Sequence, residues 1–100
     1  MKITLKTNES AINVLRRAGY GLIGQDQNTG EISFAKRAGG GDYPRFHAYV
    51  KKETGIIIIN LHLDQKKPSY SGSHAHNAEY EGEILDKEAE RIKSALQSLK

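Results

Sequence analysis

Imidazole is the side chain whose charge changes near neutrality, so His47, His62, His74 and His76 are the first places to look for chemistry. Three of them fit a metal-ligand pattern. His62-Leu63-Asp64 sets two ligand types at i and i+2, which project to one side of a strand, and His74-Ala75-His76 follows in a polar stretch. His62, Asp64, His74 and His76 together supply a three- or four-ligand N/O set, for which zinc is the natural ion. The same residues also read as a polar loop with exposed imidazoles, which needs no metal. Cys is absent, which excludes thiolate metal sites, Fe–S clusters and Cys nucleophiles. There is no dinucleotide fingerprint, no Walker motif, and no Ser-His-Asp order or nucleophile elbow.

Two basic runs suit an anionic partner. Lys36-Arg37-Ala38-Gly39-Gly40-Gly41 joins cations to backbone N–H groups that a phosphate can approach closely. Lys66-Lys67-Pro68-Ser69-Tyr70 sets cations beside an aromatic ring, a combination that holds RNA by charge and stacking. Net charge is +3 and uneven: residues 1–75 hold eleven Lys/Arg against six Asp/Glu, residues 76–100 four against six. A basic body with an acidic tail permits a nucleic-acid partner without requiring one.

The elements that position these groups follow from hydrophobic periodicity. One hundred residues, 37% hydrophobic and 27% charged, suit a single globular domain over 1–100. Lys2 to Lys6 alternates as a strand. A helix is expected from about Glu9 to Ala18, capped by Thr7 or Asn8, with Ala11, Val14, Leu15 and Ala18 as its apolar stripe and Gly19 as its stop. Strands are expected over Tyr20–Gln25 and Glu31–Arg37, separated by an Asn28-Thr29-Gly30 turn. Arg45 to Lys51 and Ile56 to Leu63 flank Glu53-Thr54-Gly55 as a hairpin. Phe46, Ala48 and Val50 then share a face with Ile57, Ile59, Leu61 and Leu63, which puts His47 across from or diagonal to Asn60 and His62. Residues 65–82 lack periodicity and read as a long His-rich loop. A closing helix is expected from about Asp86 to Leu99, with Leu85, Ala89, Ile92, Leu96 and Leu99 as its stripe and Glu88, Glu90, Arg91 and Lys93 on its wet side. The fold class is α+β, a mainly antiparallel sheet with both amphipathic helices on one face, like a double-stranded-RNA-binding domain. No segment has the continuous apolar length of a signal peptide core or membrane span, so the expected location is cytoplasmic with no membrane contact.

Several stretches resemble a known family. Leu15-Arg16-Arg17-Ala18-Gly19-Tyr20 is similar to the end of the first helix in HicA-type toxin ribonucleases. Arg45-Phe46-His47-Ala48-Tyr49-Val50 resembles the strand that carries that family's catalytic histidine, and Ile58-Ile59-Asn60-Leu61-His62 the strand after it. Gly82-Glu83-Ile84-Leu85 and the helix beyond resemble its closing segment. The chain departs from the family where His47 follows Pro44-Arg45-Phe46 rather than Gly-Ser, and in an added strand pair and triple-glycine loop before it. The resemblance implies a metal-independent endoribonuclease with His47 as general base, RNA as partner, no cofactor, and an antitoxin-like protein as a further partner. The RNA-contacting residues would be Arg16, Arg17, Lys36, Arg37, Arg45, Lys51, Lys66 and Lys67, with Arg16, Arg17, Lys36, Arg37 and Lys51 on one basic surface. Zinc at the His-rich set, and a non-catalytic domain pairing along an open sheet edge, are the alternatives.

Overall fold

The chain runs β1 (Lys2–Lys6), α1 (Ala11–Arg17), β2 (Gly21–Gln25), β3 (Ile32–Arg37), β4 (Arg45–Glu53), β5 (Ile56–Asp64) and α2 (Asn77–Gln97). The computed structural model describes residues 1–65 and 77–97. The five strands form one antiparallel sheet in the order β1-β5-β4-β3-β2. This is an α+β fold.

The hairpin of β4 and β5 organises it. Gly55 has φ of +75°, a left-handed conformation that glycine adopts at little cost, and Thr54-Gly55 closes a two-residue turn between paired Glu53 and Ile56. No bulge interrupts the pairing. Phe46 faces Leu63, Ala48 faces Leu61 and Val50 faces Ile59, the register that the alternating sequence predicts. Ile57, Ile59 and Leu61 are completely buried, whereas Asn60 and His62 are exposed. The β2 edge is less regular: the β2–β3 register shifts between Leu22 and Gly24, and Leu22 and Ile23 remain exposed.

Both helices cover the face that carries Phe46, Ala48 and Val50. Val14 and Leu15 of α1 and Ile92 of α2 join these residues in one core with Ile3, Leu5 and Phe34. Leu96, expected in the core, is only partly buried at its margin. Ser10, rather than Thr7 or Asn8, caps α1: its hydroxyl accepts from the Asn13 N–H at 3.1 Å. Thr7 instead accepts from Glu9 N–H at 3.0 Å, a turn that leads into the helix.

α2 begins at Asn77, well before the expected Asp86, so part of the segment read as a loop is helical. Its opening turns contain Glu79, Glu81 and Glu83, a residue type that favours helix, but have no apolar stripe for periodicity to detect. The membership of its wet side also changes. Glu88 is 5% exposed and sits between Ile84 and Ile92 on the packed face. No described helix is long and apolar enough to cross a membrane.

Candidate active site

The sheet face opposite the helices carries Arg45, His47, Tyr49 and Lys51 from β4 and Ile58, Asn60, His62 and Asp64 from β5. Strand alternation dictates this set, because their neighbours Phe46, Ala48, Val50, Ile59 and Leu61 point into the core. His47 lies directly across from His62 on one side and from Ala35 of β3 on the other. Arg45 lies across from Asp64, which puts the Asp64 carboxylate diagonal to His47.

That diagonal is closed. His47 Nδ1 and Asp64 Oδ2 are hydrogen-bonded, 2.5 Å apart. A carboxylate can only accept, so Nδ1 is the donor in this pair, and the tautomer that fits it has its lone pair on Nε2. No hydrogen bond to Nε2 is formed by the described residues. The His47 ring stacks on Tyr49, with centroids 5.1 Å apart and planes 11° from parallel. Tyr49 in turn meets the His62 ring edge-on at 5.7 Å. Carboxylate and phenol together fix the imidazole, whose side chain is 16% exposed.

Arg45 links this dyad to a second feature. Its Nε is 3.7 Å from Asp64 Oδ2, an ion pair too long for a hydrogen bond, and is buried with no hydrogen-bond partner among the described residues. Its guanidinium lies over the Tyr43 ring at 5.1 Å. Ala35, Lys36, Arg37, Asp42, Tyr43 and Arg45 line an open pocket of about 430 Å³ beside the dyad. Arg37 pairs there with Asp42 at 3.0 Å. Adding a Cβ at Gly39 or Gly40 would meet nothing within 4 Å, so no close approach forces glycine into that loop.

The basic residues do not share one surface. Lys36 pairs with Phe46 on the helix-covered side, its ammonium 5.6 Å from that ring's centroid. Arg16 and Arg17 are exposed in the last turn of α1. Arg37, Arg45 and Lys51 are on the open side. The reason is parity: Lys36 is two residues beyond buried Phe34, so it extends an apolar row and stretches over it. Of the proposed metal set, Asp64 is engaged with His47 and Arg45, while His62 is exposed. No group of three or more His, Cys, Asp or Glu capable of holding a metal occurs among the described residues. His74 and His76, like Lys66 and Lys67, are outside the described residues.

Sequence reasoning missed a buried polar network at the junction of the helices. The Tyr20 hydroxyl donates to Glu88 Oε2 at 2.6 Å, and Arg91 donates to both Glu88 oxygens at 2.8 and 2.7 Å and to the Ala18 carbonyl at 2.5 Å. Burial alone would raise the Glu88 pKa, but hydrogen bonds from Arg91 and Tyr20, aided by the charges of Arg91 and Lys36, hold it below the usual range. Burial and the Glu88 carboxylate push the Tyr20 hydroxyl well above its ordinary value. The available signal was the position of Glu88 four residues from both Ile84 and Ile92, inside the apolar stripe.

No protein-family model and no curated protein matches this chain.

Proposed function

We propose that this chain binds RNA on the open sheet face and cleaves it, with His47 as the general base. The observation that carries the reading is the 2.5 Å contact between His47 Nδ1 and Asp64. Cleavage by a neighbouring 2′-hydroxyl needs a base that exchanges protons near neutrality, held in one tautomer and one orientation. Asp64 supplies the orientation and would stabilise the imidazolium formed on proton uptake. The Arg45 side chain is 36% exposed and lines the open pocket, so the outer part of its guanidinium is suited to a phosphate oxygen as charge develops on it. Tyr43 is 43% exposed and flanked by Arg37 and Arg45, which suits stacking of an unpaired base beside a phosphate. The resemblance to HicA-type toxin ribonucleases supports the same residue in the same role.

The test is cleavage of short single-stranded RNA by purified protein, with chelator present and absent. His47→Ala is expected to reduce the rate by about 10²–10⁴-fold, the usual contribution of general base catalysis. The thermal unfolding transition should persist, because His47 is outside the apolar core. Cleavage that survives His47→Ala and disappears with chelator would overturn the reading in favour of a metal centre.

A further inference from the structure

Transfer of a phosphoryl group to a 2′-oxygen needs two proton movements, and the dyad accounts for only one. The 2′-hydroxyl gives up a proton as its oxygen attacks phosphorus. The departing 5′-oxygen is an alkoxide, a poor leaving group unless it gains a proton as its bond to phosphorus breaks. Attack and departure are roughly in line, so the two proton-transfer groups must stand on opposite sides of one phosphate.

The β4–β5 register supplies a second imidazole on the same face. His62 is directly opposite His47, and Cβ atoms of facing residues in an antiparallel pair are about 4.5–5.5 Å apart. The two rings share Tyr49 as a common neighbour, which keeps both on the open face. Their surroundings differ in a way that separates the roles. His47 is anchored through Nδ1 to Asp64 and offers one lone pair. His62 is exposed, makes no hydrogen bond to a described residue, and can carry protons on both nitrogens in contact with solvent.

We propose that His62 is the general acid of the reaction, acting across the phosphate from His47. This rests on the RNA-cleavage reading above. In the step, His47 Nε2 takes the proton of the 2′-hydroxyl and O2′ bonds to phosphorus. The P–O5′ bond breaks, and O5′ takes a proton from the His62 imidazolium. The products are a 2′,3′-cyclic phosphate and a free 5′-hydroxyl; His47 is left protonated and His62 neutral, and exchange with solvent restores both. No water is consumed and no oxidant is needed.

A leaving group that needs no proton isolates the assignment. Two short RNAs, each with one scissile bond, are compared: one has the natural 5′-oxygen, the other sulfur at that bridging position, which departs readily as a thiolate. Wild-type protein, His62→Ala and His47→Ala are assayed on both, with intact folding checked by circular dichroism. His62→Ala is expected to lose about 10²–10⁴-fold on the oxygen substrate and to stay within a few-fold of wild type on the sulfur substrate. His47→Ala should be slow on both, since the 2′-hydroxyl must be deprotonated in either case. Equal loss by His62→Ala on the two substrates, or loss on neither, overturns the acid assignment while leaving cleavage by His47 standing. If wild-type protein cleaves neither substrate, the cleavage reading itself falls and takes this assignment with it.

Discussion

At the residue scale, the two carboxylates with the most defined partners act in opposite settings. Asp64 orients a solvent-edge imidazole, so under the proposed function Asp64→Asn should slow RNA cleavage without abolishing the fold; comparing its rate and urea midpoint with wild type checks both halves of that expectation. Glu88 is sealed between the helices, and its removal leaves part of the Arg91 and Tyr20 hydrogen-bonding capacity unmet. Glu88→Ala should cost about 3 kcal/mol, the lower end for breaking a buried pair, because Arg91 keeps a 42% exposed side chain. The pKa directions set the pH dependence. The Glu88 contribution is complete above the usual carboxylate range and is lost as pH falls through the depressed folded value. Tyr20 works at the other end: above its ordinary value near 10 the unfolded chain ionises first, so stability falls as pH rises from there. Urea unfolding at intervals from pH 2 to 11 should show both losses, with Tyr20→Phe flattening the alkaline one. Apart from the place of Glu88 between Ile84 and Ile92, nothing in the sequence marked this network, since Tyr20 and Glu88 are 68 residues apart and a charged residue reads as solvent-facing.

At the element scale, what could be read from the sequence depended on how far one period ran uninterrupted. β4 alternates from Arg45 to Lys51 and β5 from Ile59 to Leu63 on either side of a short glycine turn, so the faces and the closeness of His47 to His62 followed from the residues, while their direct pairing is set by the bulge-free register. The Asp64 contact did not follow, because a residue at the strand end is as easily assigned to the succeeding loop, and here it had been grouped with His62, His74 and His76. The opening turns of α2 were missed for the reason already given, the lack of an apolar row. The register makes a sharp comparison between adjacent isoleucines. Ile57→Ala, at a completely buried position, should destabilise by about 2–5 kcal/mol, whereas Ile58→Ala on the open face should cost about 1 kcal/mol. Denaturant titration of the two variants would reveal any inversion of the faces.

At the scale of the whole molecule, the sheet has one side covered by helices and the other carrying the dyad with Arg37, Arg45 and Lys51 around it and Lys2 and Lys6 at the β1 edge. If Arg37, Arg45 and Lys51 each neutralise one phosphate of single-stranded RNA, the logarithm of the binding constant should fall with the logarithm of salt concentration at a slope of roughly −2. Replacing Arg37 and Lys51 by Ala should make that slope shallower, whereas replacing Arg16 and Arg17 should leave it unchanged; fluorescence anisotropy across a salt series measures both. The strand order has a different consequence, for biosynthesis. β1 is made early, yet its partner is β5, the last strand of the sheet, and Ile3 and Leu5 pair with Ile59 and Ile57. While α1 and the β2–β3–β4 meander emerge from the ribosome, β1 has no strand beside it. Nascent chains arrested before Ile56 should therefore stay open to proteolysis within β1, even after the meander has formed. A holdase that shields short apolar strands would matter most during that interval, which ends only when the β5 edge is presented and the oldest strand is finally tied in.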